Sequence, residues 1–149
     1  EIGKGKIIKK GKKIAILSLG SRLTDVIEVH DSLKKDGYDI TIADARFAKP
    51  IDKSLVKNLY LNHDALLFVE EGSVGGFSSQ CLNYLSSKNL LGQKPTLVKC
   101  LTLPDFFQDQ GSQKEQLMEA KLDKNGILHE VKKIISILNI LPKVENKIG

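Results

Sequence analysis

The sequence contains no tryptophan, one methionine, four prolines and two cysteines, and aromatic residues make up only 5% of its 149 positions. Each scarcity excludes something. Without interleaved aromatics there is no platform on which nucleic-acid bases could stack. Cys81 and Cys100 lie in regular apolar segments, with neither CxxC spacing nor a nearby histidine, so a disulfide framework and a zinc site are both poorly supported and a reducing compartment is expected. No apolar run reaches the about 18 residues that a membrane span needs, and the charged opening EIGKGKIIKKGKK has no apolar block behind it, so the expectation is a protein with no membrane partner and no secretory leader. Arginine is nearly absent: of 23 basic residues only Arg22 and Arg46 carry the guanidinium fork that anion-recognition sites favour. The heavy use of lysine therefore reflects AT-rich coding more than chemistry.

What is present is ordinary globular material. Hydrophobic residues are 41% and charged residues 28%, and the length suits one core. The net charge of +5 and pI near 9.1 invite a nucleic-acid reading, but the basic residues are spread out except between Lys4 and Lys13. There lysine alternates with isoleucine, the pattern of a solvated edge strand whose charges discourage edge pairing, and nucleic acid is not an expected partner.

The chain alternates strand and helix. Lys13–Leu19 (KIAILSL) is apolar throughout, as a strand covered on both faces should be, and Gly20-Ser21 ends it. Arg22 to Lys35 then places Leu23, Val26, Ile27, His30 and Leu33 on one helical face. A second strand is predicted over Tyr38–Phe47, followed by a helix capped by Asp52, a third strand over Ala65–Glu70, a helix over Gly76–Ser87, and a fourth strand over Pro95–Leu103. Ser112-Gln113-Lys114-Glu115 has capping-box spacing, and Ile127, Val131, Ile134, Ile135 and Leu138 line a last helix. The prediction is an α/β fold, a three-layer α/β/α sandwich around an about five-stranded, mostly parallel sheet, with the basic leading strand antiparallel at one edge. Residues 1–141 are expected to form the domain and residues 142–149 a flexible tail. Because the chain begins without Met, it is treated as a piece excised from a longer one.

In such a sheet, ligands gather at the carboxyl ends of the strands where the winding reverses. Three loops qualify. Gly20, Ser21 and Arg22 open a helix whose free N–H groups and guanidinium could hold an anion, or whose Ser21 or Thr24 simply caps it. Asp44 and Arg46 share one side of a strand and, with Glu70 and Glu71, could form an ion-pair network. Adjacent strand residues face opposite ways, so Glu70 and Glu71 are poorly placed to act together as acid and base. Gly72, Gly75 and Gly76 permit a tight turn or a phosphate cradle. Asp105, Phe106 and Phe107 put two aromatics in a loop, which suits either a covered interface or a fold back onto the core. His30, His63 and His129 read as core or boundary histidines, and no Walker loop, GxSxG elbow, HExxH or GxGxxG occurs. No complete catalytic set and no metal site are expected.

IGKG at Ile2, DARFAKPID at Asp44, HDALLFVEEGSVGGFSS at His63 and LPDFFQDQGSQKEQLMEAKLD at Leu103 together resemble the C-terminal domain of the 1-deoxy-D-xylulose-5-phosphate synthase family, in order and over nearly the whole chain. The VEEG region is shared with transketolases and with β-subunits of 2-oxoacid dehydrogenases; LPDFFQDQG and QLMEAKLD are the discriminating parts. The resemblance implies a transketolase C-terminal-domain-like fold. It also implies a parent enzyme that uses thiamine diphosphate and Mg2+ to condense pyruvate with glyceraldehyde 3-phosphate, releasing carbon dioxide. In that family the diphosphate-binding GDG...N segment, the activating glutamate and the substrate histidines lie in two preceding domains. The implied partners are therefore the N-terminal and central domains of the same chain and a second subunit of a homodimer, with no cofactor on this fragment. The implied compartment is a bacterial cytoplasm or, in a eukaryote, a plastid-type organelle.

Overall fold

In a computed structural model, which describes residues 1–73, 75–104 and 111–144, five strands form one sheet. They are β1 (Lys6–Lys9), β2 (Ile14–Leu19), β3 (Thr41–Asp44), β4 (Ala65–Ser73) and β5 (Leu97–Leu103), in the order β1-β3-β2-β4-β5. The β1 strand runs antiparallel to β3, while β2, β3, β4 and β5 are mutually parallel. The predicted architecture is the observed one.

The helices are α1 (Leu23–Lys35), α2 (Lys53–Asn62), α3 (Phe77–Ser87), α4 (Gln113–Glu119) and α5 (Lys124–Ile137). Alternation along the buried strands sorts the core into two halves, as a pleated sheet requires. Ile14, Ile16, Leu67 and Val69 pack beneath Val26, Val29 and Leu33 of α1 and Ile127, Val131 and Ile134 of α5. On the other face Ala15, Leu17, Leu66 and Phe68 meet Val56 and Leu59 of α2 and Phe77, Cys81 and Leu85 of α3. Cys81 is thus a core side chain, and burial pushes its thiol up to about 12, far from a reactive thiolate.

Element ends follow local chemistry. The Asp52 carboxylate accepts the Leu55 N–H at 3.0 Å, and Ser112 and Glu115 close a capping box on α4, both as predicted. The predicted strand over Tyr38–Phe47 is trimmed to Thr41–Asp44, because Arg46 adopts φ 62° and its N–H turns back to Asp44 Oδ1 at 2.9 Å. Conversely β4 runs past Glu70 to Ser73, with its register against β5 shifting between Val69 and Ser73. At the start of the predicted tail, the Lys143 N–H donates to Gly37 O at 2.8 Å. None of the helices among the described residues is long and apolar enough to cross a membrane.

His30 and His63 are both buried. The His63 ring links three segments: Nδ1 lies 2.9 Å from Leu59 O, Nε2 lies 2.7 Å from Thr41 Oγ1, and that hydroxyl also accepts the Gly11 N–H at 3.0 Å. With Nδ1–H donating to the carbonyl and Nε2 accepting from Thr41, the ring is neutral. Burial, the dominant cause, holds its pKa below the ordinary histidine value. The folded state therefore binds fewer protons than the unfolded chain as pH falls through about 6.5, and stability drops by up to about 1.4 kcal/mol per pH unit. Urea titrations between pH 7.5 and 5.5 should show this loss in the parent chain and a flatter profile in His63→Gln; equal slopes would refute the assignment.

Candidate functional site at the strand carboxyl ends

After β2, the chain passes through α1 to β3 on one side and then through α2 to β4 on the other, so the winding reverses at the carboxyl ends of β2 and β4. The two loops that meet there bring Gly20 and Ser21 against Glu70, Glu71 and Gly72, around a depression of ≈ 350 Å³ also lined by Leu19, Ala48, Gly76 and Phe77, with Arg22 beside Glu71 outside that lining. This is the place where ligands collect in such sheets.

Glu71 is the hub on the α1 side. Its carboxylate accepts the Ser21 hydroxyl and, at 3.0 Å, the Gln113 amide, and it lies 3.7 Å from Arg22 Nε. The Ser21 hydrogen bond is the main reason its pKa sits below the usual carboxylate range, with Gln113 and the Arg22 charge adding to it. Arg22, whose side chain is only 11% exposed, also pairs with Asp25 at 2.9 Å. Its guanidinium thus lies near two carboxylates, hydrogen-bonded by distance only to Asp25, while Nε has no hydrogen-bond partner among the described residues. Neither Ser21 nor Thr24 caps the helix, since α1 begins on a short 3-10 turn over Gly20–Arg22 with no side-chain cap. Truncating Glu71 to alanine frees Ser21 and Gln113 and leaves Arg22 with Asp25 alone. A loss of about 1–3 kcal/mol is expected in urea unfolding, with amide shifts concentrated at Ser21 and at the start of α4.

Glu70 faces the opposite side of the sheet, as strand alternation requires. It is buried, and Oε2 accepts the Ser78 N–H at 2.8 Å, placing a carboxylate at the amino end of α3 where the helix dipole favours it. The two carboxylates therefore leave β4 in opposite directions, although both residues border the depression at its end.

The expected ion-pair network of Asp44, Arg46, Glu70 and Glu71 does not form among the described residues. The β2 strand lies between β3 and β4, so these groups are separated by two strand spacings, about 9.6 Å. Asp44 instead takes the Arg46 backbone N–H, and the Arg46 guanidinium lies 5.8 Å from the Phe47 ring centre. Gly75, at φ 97°, makes the turn that follows β4, its N–H donating to Ser79 Oγ at 3.0 Å. Asp105, Phe106 and Phe107 lie outside the described residues. Gln113 and Asp25 join the site only in the folded chain; in the sequence Gln113 carries no signal beyond its place in a capping box.

The family model for the transketolase C-terminal domain matches residues 3–127. This chain belongs to that family. Among solved structures it resembles a split gene transketolase described as an inactive beta4 tetramer, with 26% identity and a TM-score of 0.79 over 91% of this chain and 43% of that one. Transketolase from Campylobacter jejuni (15% identity, TM-score 0.60, 88% of this chain and 18% of that) shares the fold, as does the R525L mutant from Pichia stipitis (13%, 0.64, 96% and 19%). The chain thus spans less than half the length of each of these transketolases.

Proposed function

We propose that this transketolase-type C-terminal domain belongs to a 1-deoxy-D-xylulose-5-phosphate synthase, and that it serves as a structural and dimerisation domain. What supports the reading is the segment LPDFFQDQGSQKEQLMEAKLD, whose motifs look like those of the synthases and not like those of the transketolases or dehydrogenase β-subunits that share VEEG. Its helix α4 is tied back to VEEG through the Gln113–Glu71 hydrogen bond. The parent reaction on this reading is the thiamine-diphosphate-dependent condensation of pyruvate with glyceraldehyde 3-phosphate, with loss of carbon dioxide, at the head of non-mevalonate isoprenoid, thiamine and pyridoxal synthesis.

The described residues around the crevice do not suit thiamine diphosphate with Mg2+. Among the described residues no three His, Cys, Asp or Glu side chains are grouped to hold a metal, and a diphosphate entering the crevice would meet Glu70 and Glu71 beside an arginine already paired. The cofactor is assigned instead to the parent's other domains. This domain's own work is to present its loops to those domains and to a second subunit, in a bacterial cytoplasm or a plastid-type organelle. A regulatory anion site at Ser21-Arg22 is the weaker alternative, because Asp25 and Glu71, both within 4 Å of the guanidinium, would repel an anion there. A 2-oxoacid dehydrogenase β-subunit lacks the LPDFF segment.

The test is the whole coding sequence followed by turnover of its product. A GDG...N segment on the same polypeptide, with pyruvate and glyceraldehyde 3-phosphate converted to 1-deoxy-D-xylulose 5-phosphate, is the expected result. Finding that segment only on a separate subunit overturns the synthase assignment, and a thermal shift of the isolated 149-residue chain with thiamine diphosphate and Mg2+ overturns the noncatalytic one.

A further inference from the structure

One buried carboxyl oxygen at the carboxyl ends of β2 and β4 is left without a donor among the described residues. Glu70 is 2% exposed, its Oε2 is satisfied by Ser78, and its Oε1 has no hydrogen-bond partner among the described residues. Buried carboxylate oxygens rarely go without a donor, and one that does marks a place where a donor comes from elsewhere. Gly72 contributes a second observation: a Cβ there would lie 2.9 Å from Oε1, so only a residue without a side chain leaves the carboxylate uncovered on that side. The depression above it has Leu19 and Phe77 among its apolar walls. The charged residues of its lining are two carboxylates, Glu70 and Glu71, and no lysine or arginine is among them.

We propose that this crevice receives a cationic side chain, arginine or lysine, from an adjoining domain of the longer chain. Glu70 Oε1 accepts its hydrogen bond, and Leu19 and Phe77 flank its aliphatic stem. The inference rests on the chain being one part of a larger enzyme. Coding sequence and turnover test that reading, whereas binding to the 149-residue chain tests this one, so either can fail alone.

The experiment is amide NMR of the chain titrated with N-acetyl-arginine amide and N-acetyl-lysine amide, with the uncharged N-acetyl-citrulline amide as control. Saturable shifts at Gly72, Gly76, Phe77 and Ser78 are expected with either cation and not with citrulline. Glu70→Gln keeps a carbonyl for the Ser78 N–H and replaces Oε1 by a donor, so it should retain the parent spectrum and weaken binding at least about tenfold. Absence of saturable shifts, an equal response to citrulline, or unchanged binding in Glu70→Gln overturns the proposal. A free polyamine that binds more tightly than either amide overturns the assignment to a protein side chain.

Discussion

Replacing Phe68 by alanine lowers stability by about 3–5 kcal/mol and the thermal midpoint by about 6–20 °C. Phe68 is fully buried on β4, a strand hydrogen-bonded on both sides, where it stands level with Leu17 of β2 and Cys100 of β5. Its ring meets Phe77 of α3 edge-on, with centroids 6.3 Å apart and planes at 84°. Truncation removes both the apolar transfer energy and that ring pair. The backbone on either side is fixed by two ladders, so the space left behind cannot collapse. Against a total stability of about 5–15 kcal/mol for such a domain, this is a large share. Urea unfolding checks it: the midpoint should move with the slope unchanged. A loss below about 1 kcal/mol would mean that α3 is not packed on this face of the sheet.

Gly11→Ala should cost more than about 3 kcal/mol, although glycine-to-alanine changes at compatible sites usually stabilise. A Cβ at Gly11 would sit 2.3 Å from Asp39 O and 2.4 Å from Ile40 C, both backbone atoms that cannot rotate away. The approach is tight because the link from β1 to β2 is bound to the chain entering β3: Lys12 N–H donates to Asp39 O at 2.7 Å and Gly11 N–H to Thr41 Oγ1. Relieving the overlap breaks these bonds and disturbs the His63–Thr41 pair behind them. Gly75 provides the contrast. Its φ of 97° strains any side chain, but none of the described residues lies within 4 Å of the added carbon, so Gly75→Ala should cost only about 1–2 kcal/mol. Thermal unfolding of the two variants side by side measures the difference; the reverse order would contradict the described connection.

The candidate site was legible in sequence only to the level of its loops. That ligand-bearing loops end the parallel strands followed from the alternation of strand and helix, and Gly20 to Arg22 and Glu70 to Gly76 do meet. Which charges pair did not follow. Asp44 and Arg46 were grouped with Glu70 and Glu71 because their strands are consecutive in the chain, whereas in the sheet β2 separates them. The Arg22–Glu71–Gln113 arrangement joins residues 49 and 42 positions apart and has no local signature.

The sequence by itself determined the fold class, the edge placement of the lysine-rich strand and the caps at Asp52 and Ser112. These depend on hydrophobic periodicity and on hydrogen bonds spanning three residues, both of which are local. Only the tertiary structure decided where β3 stops, how far β4 continues, that Glu71 joins Asp25 beside Arg22, and that Glu70 Oε1 is buried without a donor among the described residues. Those outcomes depend on strand order and on which side chains are brought together across the sheet, and a charge carries no mark in the sequence of the partner that folding will give it.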